Sequence, residues 1–218
     1  LNGAWNWGAE KPRKLIGSPL HIDGDISGKP AGIVLVIHDK TKEQAYIDRL
    51  SWQASHDALT GLTNRREFER RLEVALSQLD GSGTRHILMF RDVDQFKFVN
   101  DTCGHAAGDQ LLRQISSILQ RHLRAGDLVA RLGGDEVGVL LPDCGIETAA
   151  MRAETLRQSV QDTNFTWEGR VFNTTLSIGA IPVAHVGTTK EDMLRTADMA
   201  CYMAKEKGRN RVQIHSPS

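Results

Sequence analysis

The stretch Ala130–Leu140, ARLGGDEVGVL, sets a Gly-Gly pair and two adjacent carboxylates between two short apolar runs. Gly133 and Gly134 lack a Cβ and can adopt positive φ, so the pattern predicts a β-hairpin closed by a type I′ turn. Turn formation does not explain Asp135 and Glu136, because two acids at one tip repel each other unless a cation lies between them. The alternative is a solvated turn without a ligand.

On both sides of this hairpin, apolar residues recur at helical and at strand spacing. Helices are predicted over residues 65–79, 111–123, 147–160 and 191–207, and strands over 85–93, 171–183 (as a pair) and 210–214. This order predicts an α+β fold in which a central antiparallel-rich sheet is flanked by helices.

The chain before residue 57 has a different pattern. Short β-rich runs between Gly, Asp and Lys clusters predict an N-terminal β-hairpin within residues 1–43, and residues 44–56 predict a short linker helix. Residues 57–218 are expected to form the main domain. Because the chain starts at Leu1 and no apolar run approaches the ~20 residues of a membrane span, we expect a cytoplasmic piece of a longer, potentially membrane-anchored protein.

Composition narrows the class of partner. The 27 basic and 27 acidic side chains give a formal net charge of zero, which does not indicate a nucleic-acid polymer as ligand. Cys103, Cys144 and Cys201 are odd in number and widely spaced, which is typical of reduced thiols in the cytosol.

A third carboxylate, Asp92, ends a predicted buried strand. If that strand neighbours the hairpin, Asp92, Asp135 and Glu136 converge at one edge of the sheet. Oxygen ligands without His or Cys favour Mg²⁺ or Mn²⁺. Mg²⁺ held by few carboxylates usually completes its coordination shell with substrate phosphates, so the site predicts a nucleoside triphosphate as substrate.

The segment after Asp92 carries polar groups that suit a guanine base. Asn100 offers a donor and an acceptor, and Asp109 offers two acceptors to the N1–H and N2–H edge of guanine. Both residue types also cap helices, which is the alternative for each.

Cationic side chains could bind the phosphates. Phe96 and Phe98 frame Lys97 in a short segment whose backbone N–H groups could contact an anion. Lys205 and Arg209 lie four residues apart near a predicted helix end, where they could face the phosphates together. Complementation of the helix dipole is the alternative for this pair.

Four segments, in this order, resemble the successive motifs of GGDEF domains, the diguanylate cyclases. They are DALTGLTNRREFE (57–69), DVDQFKFVNDTCGHAAGD (92–109), RLGGDEV (131–137) and ADMACYMAKEKGRN (197–210). The resemblance implies a nucleotidyl cyclase, palm-like fold and the condensation of two GTP into cyclic di-GMP with release of two pyrophosphates. It also implies a homodimer in which each subunit presents one GTP to the other.

The same resemblance assigns roles to residues. Asp92, Asp135 and the backbone carbonyl of Val93 would hold the metal ions, and Glu136 would assist metal binding or deprotonate the ribose 3′-hydroxyl. The residues that would bind the nucleotide are Asn100, Asp109 and His105 at guanine, Lys97, Lys205 and Arg209 at the phosphates with the backbone of Gln95 and Phe96, and Gly133 and Gly134 against the ribose and α-phosphate.

Further resemblances concern regulation. Arg124 and Asp127 match the Arg-x-x-Asp site through which cyclic di-GMP inhibits members of this family, with an ordinary charged loop as the alternative. The segment IDGDISGKPAGIVLVIHDKT (22–41) resembles the closing strands of a PAS sensor domain. The sequences of residues 51–69 and of the tail from Gly208 resemble those of family members that continue into an EAL phosphodiesterase domain.

Two positions depart from the family pattern. Val137 replaces the Phe of the signature at a predicted core position, where the smaller side chain loses about 1 to 2 kcal/mol of packing. Arg91 stands before Asp92, where an apolar residue or Cys is usual, and its charge could lower the pKa of Asp92 or disturb metal binding.

Three other functions compete with cyclase activity. The domain could bind GTP and regulate a downstream EAL phosphodiesterase without making product. It could be a purely structural or dimerisation domain without metal-dependent GTP affinity. It could also act on a different base, since only Asn100 and Asp109 argue for guanine.

Overall fold

The computed structural model describes residues 2–5, 13–22, 32–79, 86–183 and 188–215. The chain divides into two compact units, Leu1–Ala54 and Ser55–Ser218. The PAS remnant expected within residues 1–43 falls partly outside the described residues. No helix of the described ranges is long and apolar enough to cross a bilayer.

The first unit contains a small antiparallel sheet followed by a helix. The sheet has the strand order β1 (Asn2–Trp5), β2 (Arg13–Ile22) and β3 (Gly32–Asp39), which confirms the predicted N-terminal hairpin. Helix α1 covers Thr41–Ser55 and has no buried residue.

The second unit has a mixed sheet with helices on both faces. Its elements are β4 (Thr63–Asn64), α2 (Arg65–Ser77), β5 (His86–Val93), α3 (Phe96–Cys103), α4 (His105–His122), β6 (Leu128–Gly133), β7 (Glu136–Leu141), α5 (Ile146–Gln161), β8 (Phe165–Trp167), β9 (Arg170–Phe172), β10 (Leu176–Val183), α6 (Lys190–Glu206) and β11 (Arg211–Ile214). The strand order is β11-β10-β5-β7-β6-β4, and the four central strands pair antiparallel. The predicted α+β class with an antiparallel-rich sheet is confirmed.

Alternation along the strands separates two cores. On one face Ile87 and Met89 of β5 pack in the cluster that contains α4 and α5, and on the other face Leu88 and Phe90 pack in the cluster with α2 and α6. Gly179 of β10 allows α6 to lie close to the sheet, because a Cβ there would stand 2.2 Å from the Cys201 nitrogen. This close packing fixes α6 beside the end of β5.

Several boundaries differ from those predicted. Helix α4 begins at His105 rather than at residue 111, because its first turn follows Gly104, whose φ of 83° separates it from α3. The region 171–183 is not a strand pair, since β9 pairs with β8 in a separate two-stranded sheet while β10 pairs with β5 and β11. Helix α2 begins as expected after Asn64, whose side chain accepts a hydrogen bond from the Glu67 amide.

Candidate functional site

Strand pairing brings the predicted acids to one edge of the large sheet. β5 pairs antiparallel with β7 with Arg91 opposite Val137, so the next step of this register sets Asp92 beside Glu136. Opposed side chains of neighbouring strands project from the same face of a sheet. Asp135 lies in the turn between β6 and β7.

The turn itself is not of the predicted type. Gly133 pairs with Glu136, so the central residues of the turn are Gly134 and Asp135. Gly134 has a φ of 49°, but Asp135 is not among the described residues with positive φ, and a type I′ turn needs both. The pairing register of β6 and β7 shifts between Arg131 and Gly133, so Gly133 is the last residue of β6 and not a central residue of the turn. A Cβ at Gly133 or Gly134 would meet nothing within 4 Å, so the backbone of the bend is open to a ligand.

The three acids influence one another electrostatically. Burial raises the pKa of Asp92, of Asp135 and of Glu136 above the ordinary carboxyl values. Neighbouring carboxylates raise these pKa values further: Asp135 acts on Asp92, Glu136 acts on Asp135, and Asp198 and Asp92 act on Glu136. Such mutual repulsion is the condition under which a site gains most from a bound cation.

Cations already lie against this acidic edge. The Lys205 ammonium contacts Oδ2 of Asp92 at 2.7 Å, and this hydrogen bond opposes the upward shift of the Asp92 pKa. A cleft of about 490 Å³ opens beside the pair. Its lining residues are Asp92, Val93, Asp94, Gln95, Phe96, Lys97, Asp135, Lys205 and Arg209. Carboxylates and cationic groups therefore line the same cleft, a combination that suits a metal-bound phosphate chain.

The donor set fits a hard divalent cation that shares its ligands with a substrate. No three His, Cys, Asp or Glu side chains within the described ranges form a group that could hold a metal ion alone. Mg²⁺ does not need such a group, because it commonly uses one or two carboxylates and takes its remaining ligands from phosphates and water. Asp92, Asp135 and the Val93 carbonyl at the rim of one cleft match that requirement.

Helices α3 and α4 hold the residues predicted to contact guanine. Asn100 lies directly over Gly108, where a Cβ would stand 2.0 Å from its Oδ1, so only glycine leaves room for this amide. The Asn100 Oδ1 is buried and has no hydrogen-bond partner among the described residues. A buried amide oxygen without a partner is costly unless a ligand supplies a donor. Asp109, one residue after Gly108, is half-buried in α4, and His105 is exposed in its first turn. Because α4 begins at His105, Asp109 lies within the helix and does not cap it.

The pair Lys205 and Arg209 does not share a helix face as expected. Helix α6 ends at Glu206. Gly208, Arg209 and Asn210 all have positive φ, so a left-handed turn that begins at Gly208 ends the helix. The same cleft nevertheless receives both Lys205 and Arg209.

Asp94 organises that turn. It is 3% exposed, and its carboxylate accepts hydrogen bonds from the Thr175 hydroxyl at 2.6 Å, the Ser177 hydroxyl at 2.7 Å and the backbone N–H of Asn210 at 3.0 Å. Asn210 is held again by Arg157 of α5, which donates to its Oδ1 at 2.6 Å. No pattern in the sequence singles out Asp94 for this role, because its partners lie 81 to 116 residues away.

A second cleft, of about 240 Å³, adjoins the acids on the side of α6. Asp92 and Glu136 line it together with Asp198, Met199 and Tyr202 of α6. Asp198 falls within a motif but its proximity to Glu136 is set by the packing of α6 on β5, which local spacing does not reveal.

Arg131 connects the turn to the beginning of the second unit. Its Nε donates to the Gly134 carbonyl at 2.9 Å, and its Nη1 donates to both oxygens of Asp57 at 3.3 Å. Asp57 also accepts from the Thr60 amide and hydroxyl. The bend is thus braced from outside the hairpin.

The Arg-x-x-Asp segment forms a compact loop before β6. Asp127 accepts the Arg124 backbone N–H at 2.7 Å and is ion-paired with Arg152 of α5. The Arg124 side chain is exposed, whereas that of Asp127 is only 4% exposed. Arg124 is therefore accessible to a ligand, and Asp127 is bound to Arg152.

Arg91 occupies the core rather than the acidic edge. It is 1% exposed, and its three guanidinium nitrogens have no hydrogen-bond partner within the described ranges. Burial lowers the pKa of Arg91 to about 9. The suggestion that Arg91 lowers the pKa of Asp92 is wrong, because that pKa is raised, chiefly by burial. Neighbouring side chains of a strand point to opposite faces, which separates the two groups. Val137, directly opposite Arg91, is buried as predicted.

Comparison with protein families agrees with this geometry. A family model for the diguanylate cyclase GGDEF domain matches residues 54–211. The chain is 44% identical over 192 residues to a probable diguanylate cyclase, DgcE of Escherichia coli K12, covering 88% of the chain and 17% of the relative. It is 34% identical over 187 residues to the cyclic di-GMP phosphodiesterase PdeB of Shewanella oneidensis, covering 84% of the chain and 21% of that relative. The chain thus spans about a fifth of the length of each of these two proteins.

Solved structures share the fold. The crystal structure of the coiled coil and GGDEF domain of DgcB from Caulobacter crescentus, in complex with c-di-GMP, superposes with a TM-score of 0.74 at 29% identity. The match covers 80% of this chain and 92% of that one.

Proposed function

The chain belongs to the GGDEF family of diguanylate cyclases, and we propose that it condenses two GTP into cyclic di-GMP with release of pyrophosphate. The observation that carries the proposal is the cleft that Asp92 and Asp135 line together with Lys97, Lys205 and Arg209. Acids whose pKa values are raised, with cations in the same cleft, match a triphosphate with a bound metal ion.

A divalent cation, Mg²⁺ or Mn²⁺, would be held by Asp92, Asp135 and the Val93 carbonyl, with its remaining ligands from phosphates and water. When bound, it would acidify the attacking 3′-hydroxyl and screen the charge of the leaving pyrophosphate. Lys205 would then exchange Asp92 for a phosphate oxygen, because a cation at the carboxylate repels the ammonium.

The chain's own residues would orient the nucleotide. Asn100 and Asp109 would bind the guanine edge, with His105 beside them, which gives the buried Asn100 amide the partner it lacks. Lys97 and Arg209 would bind the phosphates with the backbone of Gln95 and Phe96 at the start of α3. The open backbone of Gly133 and Gly134 would contact the ribose and α-phosphate.

Glu136 would accept the proton of the 3′-hydroxyl. Its pKa is raised by burial and by the carboxylates of Asp198 and Asp92, which makes it a better base than an ordinary glutamate. One copy of the chain holds one GTP, so the second reactant must be presented by a second copy, and association of two copies would control the rate.

The test is chromatographic detection of cyclic di-GMP after incubation with GTP and Mg²⁺ over a wide range of protein concentrations. We expect product whose specific rate rises with protein concentration, and none from Glu136→Gln at equal concentration. Hydrolysis of GTP without cyclic product at the highest concentration would refute the cyclase proposal.

A second candidate is a GTP-binding regulatory domain that controls an EAL phosphodiesterase. The similarity to PdeB and the two departures, Arg91 and Val137, favour it. It predicts Mg²⁺-dependent GTP affinity without turnover. Calorimetric titration of GTP with and without Mg²⁺ distinguishes it from a purely structural domain, which would bind in neither case.

An Asn100→Ala variant that still preferred GTP over ATP would remove the case for guanine.

We also propose that cyclic di-GMP inhibits the protein at Arg124 and Asp127. The exposed Arg124 can stack on and hydrogen-bond a guanine, while the ion pair with Arg152 holds Asp127 in place at the base of the loop. Titration of cyclic di-GMP into Arg124→Ala should show at least about tenfold weaker binding. Unchanged affinity would eliminate this site.

A PAS sensor upstream, an EAL domain downstream and a cytoplasmic location of this domain remain proposals. The first two rest on the resemblance of residues 22–41 and of the flanking segments to proteins of that organisation, and the third rests on the odd, widely spaced cysteines and the lack of a long apolar run. Sequence of the complete gene product tests all three at once.

A further inference from the structure

The outer face of α6 carries an exposed stripe with the spacing of a helix–helix seam. Arg195, Met199, Tyr202 and Glu206 follow one another at intervals of four, three and four residues, and all four are exposed. Met199 is 65% and Tyr202 is 60% exposed, although side chains of this kind are usually buried. We call these four residues the α6 stripe.

The α6 stripe borders the proposed reaction site. Met199 and Tyr202 line the 240 Å³ cleft whose other walls include Asp92 and Glu136. The apolar part of the stripe and the acids that would carry the chemistry are therefore two walls of one cleft.

The α6 stripe is complementary to itself. If two copies of α6 run antiparallel across a two-fold axis level with the middle of the stripe, Met199 of each copy opposes Tyr202 of the other. The same axis brings Arg195 of each copy opposite Glu206 of the other. Two pairs of opposite charge therefore flank an apolar centre. Two-fold interfaces need this self-complementarity, and the 4-3-4 spacing is that of a coiled-coil seam.

We infer that the α6 stripe is the surface by which a second copy of this chain docks against the reaction site. The inference rests on the proposed function, since condensation of two GTP molecules requires a second copy to approach the acids of the first. A partner that delivers its GTP to Asp92 and Glu136 must cover the rim of their cleft, and Met199 and Tyr202 of the stripe are exposed side chains of that rim.

The size of the stripe implies a transient contact. About three turns of a helix bury far less than the roughly 1,200 Å² of a stable protein interface. The stripe therefore guides and aligns two copies that other parts of the protein, or the bound nucleotides, bring together. Synthesis then depends on protein concentration.

A substitution at the centre of the stripe tests the inference against a matched control. Met199→Lys places a charge in the apolar seam, and Met151→Lys places the same charge on α5 at a methionine that is also 65% exposed. With Mg²⁺ and a non-hydrolysable GTP analogue, sedimentation velocity should show self-association of Met199→Lys weakened by about tenfold. Met151→Lys should behave as wild type, and equal behaviour of the two variants would overturn the inference.

A charge exchange tests the antiparallel register. Arg195→Glu and Glu206→Arg should each weaken association by placing like charges opposite each other, and the double variant should restore it. A double variant as weak as the sum of the singles would overturn the register, because a merely structural effect gives no rescue. Thermal melts of the variants should match that of the wild type, because all the substituted side chains are exposed.

The product assay on the same variants separates this inference from the proposed function. Wild type that associates but makes no cyclic di-GMP contradicts the cyclase proposal and leaves the stripe supported. Wild type that makes product, with Met199→Lys and the charge variants unchanged in concentration dependence, contradicts the stripe alone.

Discussion

At the scale of single residues, ionisation of the acids of the candidate site lowers the stability of the fold, and this effect can be measured without substrate. Burial and like charge raise the pKa of Asp135, so the folded chain binds a proton at this group more tightly than the unfolded chain does. Its ionisation therefore destabilises the fold, increasingly as pH rises from the ordinary value of 3.8 through the raised one. Below 3.8 both states are protonated and the penalty vanishes.

Asp135→Asn should consequently be more stable than wild type at pH 7 and lose that advantage toward pH 3. We expect a rise in Tm of roughly 1–4 °C at neutral pH, the equivalent of up to about 1 kcal/mol. Product formation should fall to background. Asp101→Asn, an exposed carboxylate on α3, is the control and should move Tm little at either pH. A variant less stable than wild type at pH 7 would contradict the proposed repulsion.

The two departures from the family signature are neighbours in space. Arg91 and Val137 are paired across β5 and β7, and both are buried in one layer of the core. A small side chain at 137 leaves volume beside the Arg91 side chain, which suggests that the replacements compensate each other. Their separation of 46 residues along the chain hides this pairing from any local pattern.

A double-mutant cycle tests the compensation. Val137→Phe alone should destabilise by about 1–3 kcal/mol, because it overpacks the layer against Arg91. Arg91→Leu should stabilise, since it removes a buried charge without a described partner. In the Arg91→Leu background, Val137→Phe should cost less than about 0.5 kcal/mol. Urea unfolding measures all four proteins, and additive effects would show that the two positions are independent.

At the scale of elements, the turn after α6 places Arg209, one of the cations proposed to bind the phosphates. Asp94 fixes the Asn210 amide, and the consecutive left-handed residues leave Arg209 directed into the cleft. Asp94 would thus act on the nucleotide through Arg209 without touching it. An amide at 94 whose oxygen stays at the Oδ2 position keeps an acceptor for Asn210 and Thr175 but places an NH₂ donor against the Ser177 hydroxyl.

Asp94→Asn should therefore weaken GTP binding by about three- to tenfold, and should do so only while Arg209 is present. Titration of the GTP analogue into Asp94→Asn, Arg209→Ala and the double variant gives the cycle. We expect the double variant to bind as weakly as Arg209→Ala and no weaker. Thr175→Val, which removes one hydrogen bond to Asp94 but not the Asn210 contact, is the control and should lower stability more than affinity.

The elements were predictable where their cause is local. Apolar spacing with the Asn64 cap predicts α2, and the glycine pair with two acids predicts the hairpin between β6 and β7. The elements that sequence patterns miss are set by distant contacts. The strand β10 pairs with both β5 and β11, and this places it in the main sheet rather than with β9. Arg131 and Asp94 brace the site across 74 to 116 residues, a separation at which periodicity carries no information.

At the scale of the whole molecule, the site should report its ligand through the stability of the second unit. The cleft, the acids and the residues proposed to bind guanine all lie within Ser55–Ser218. A ligand that binds only the folded form stabilises it by about 2.7 kcal/mol at 100 times its dissociation constant. For a unit of this size, that corresponds to a Tm increase of roughly 5–11 °C.

Calorimetry with a non-hydrolysable GTP analogue and Mg²⁺ should therefore shift the unfolding transition of this unit upward. The analogue without Mg²⁺ should shift it much less, because the triphosphate would then add charge beside three acids whose pKa values are already raised by burial and repulsion. Lys205→Ala should reduce the shift with Mg²⁺, since it removes a cation from the phosphate side, yet it also frees Asp92 to bind the metal ion. Mg²⁺ alone should accordingly stabilise Lys205→Ala more than wild type. The matching ATP analogue is the control for the base, and an equal shift with it would mean that Asn100 and Asp109 do not select guanine.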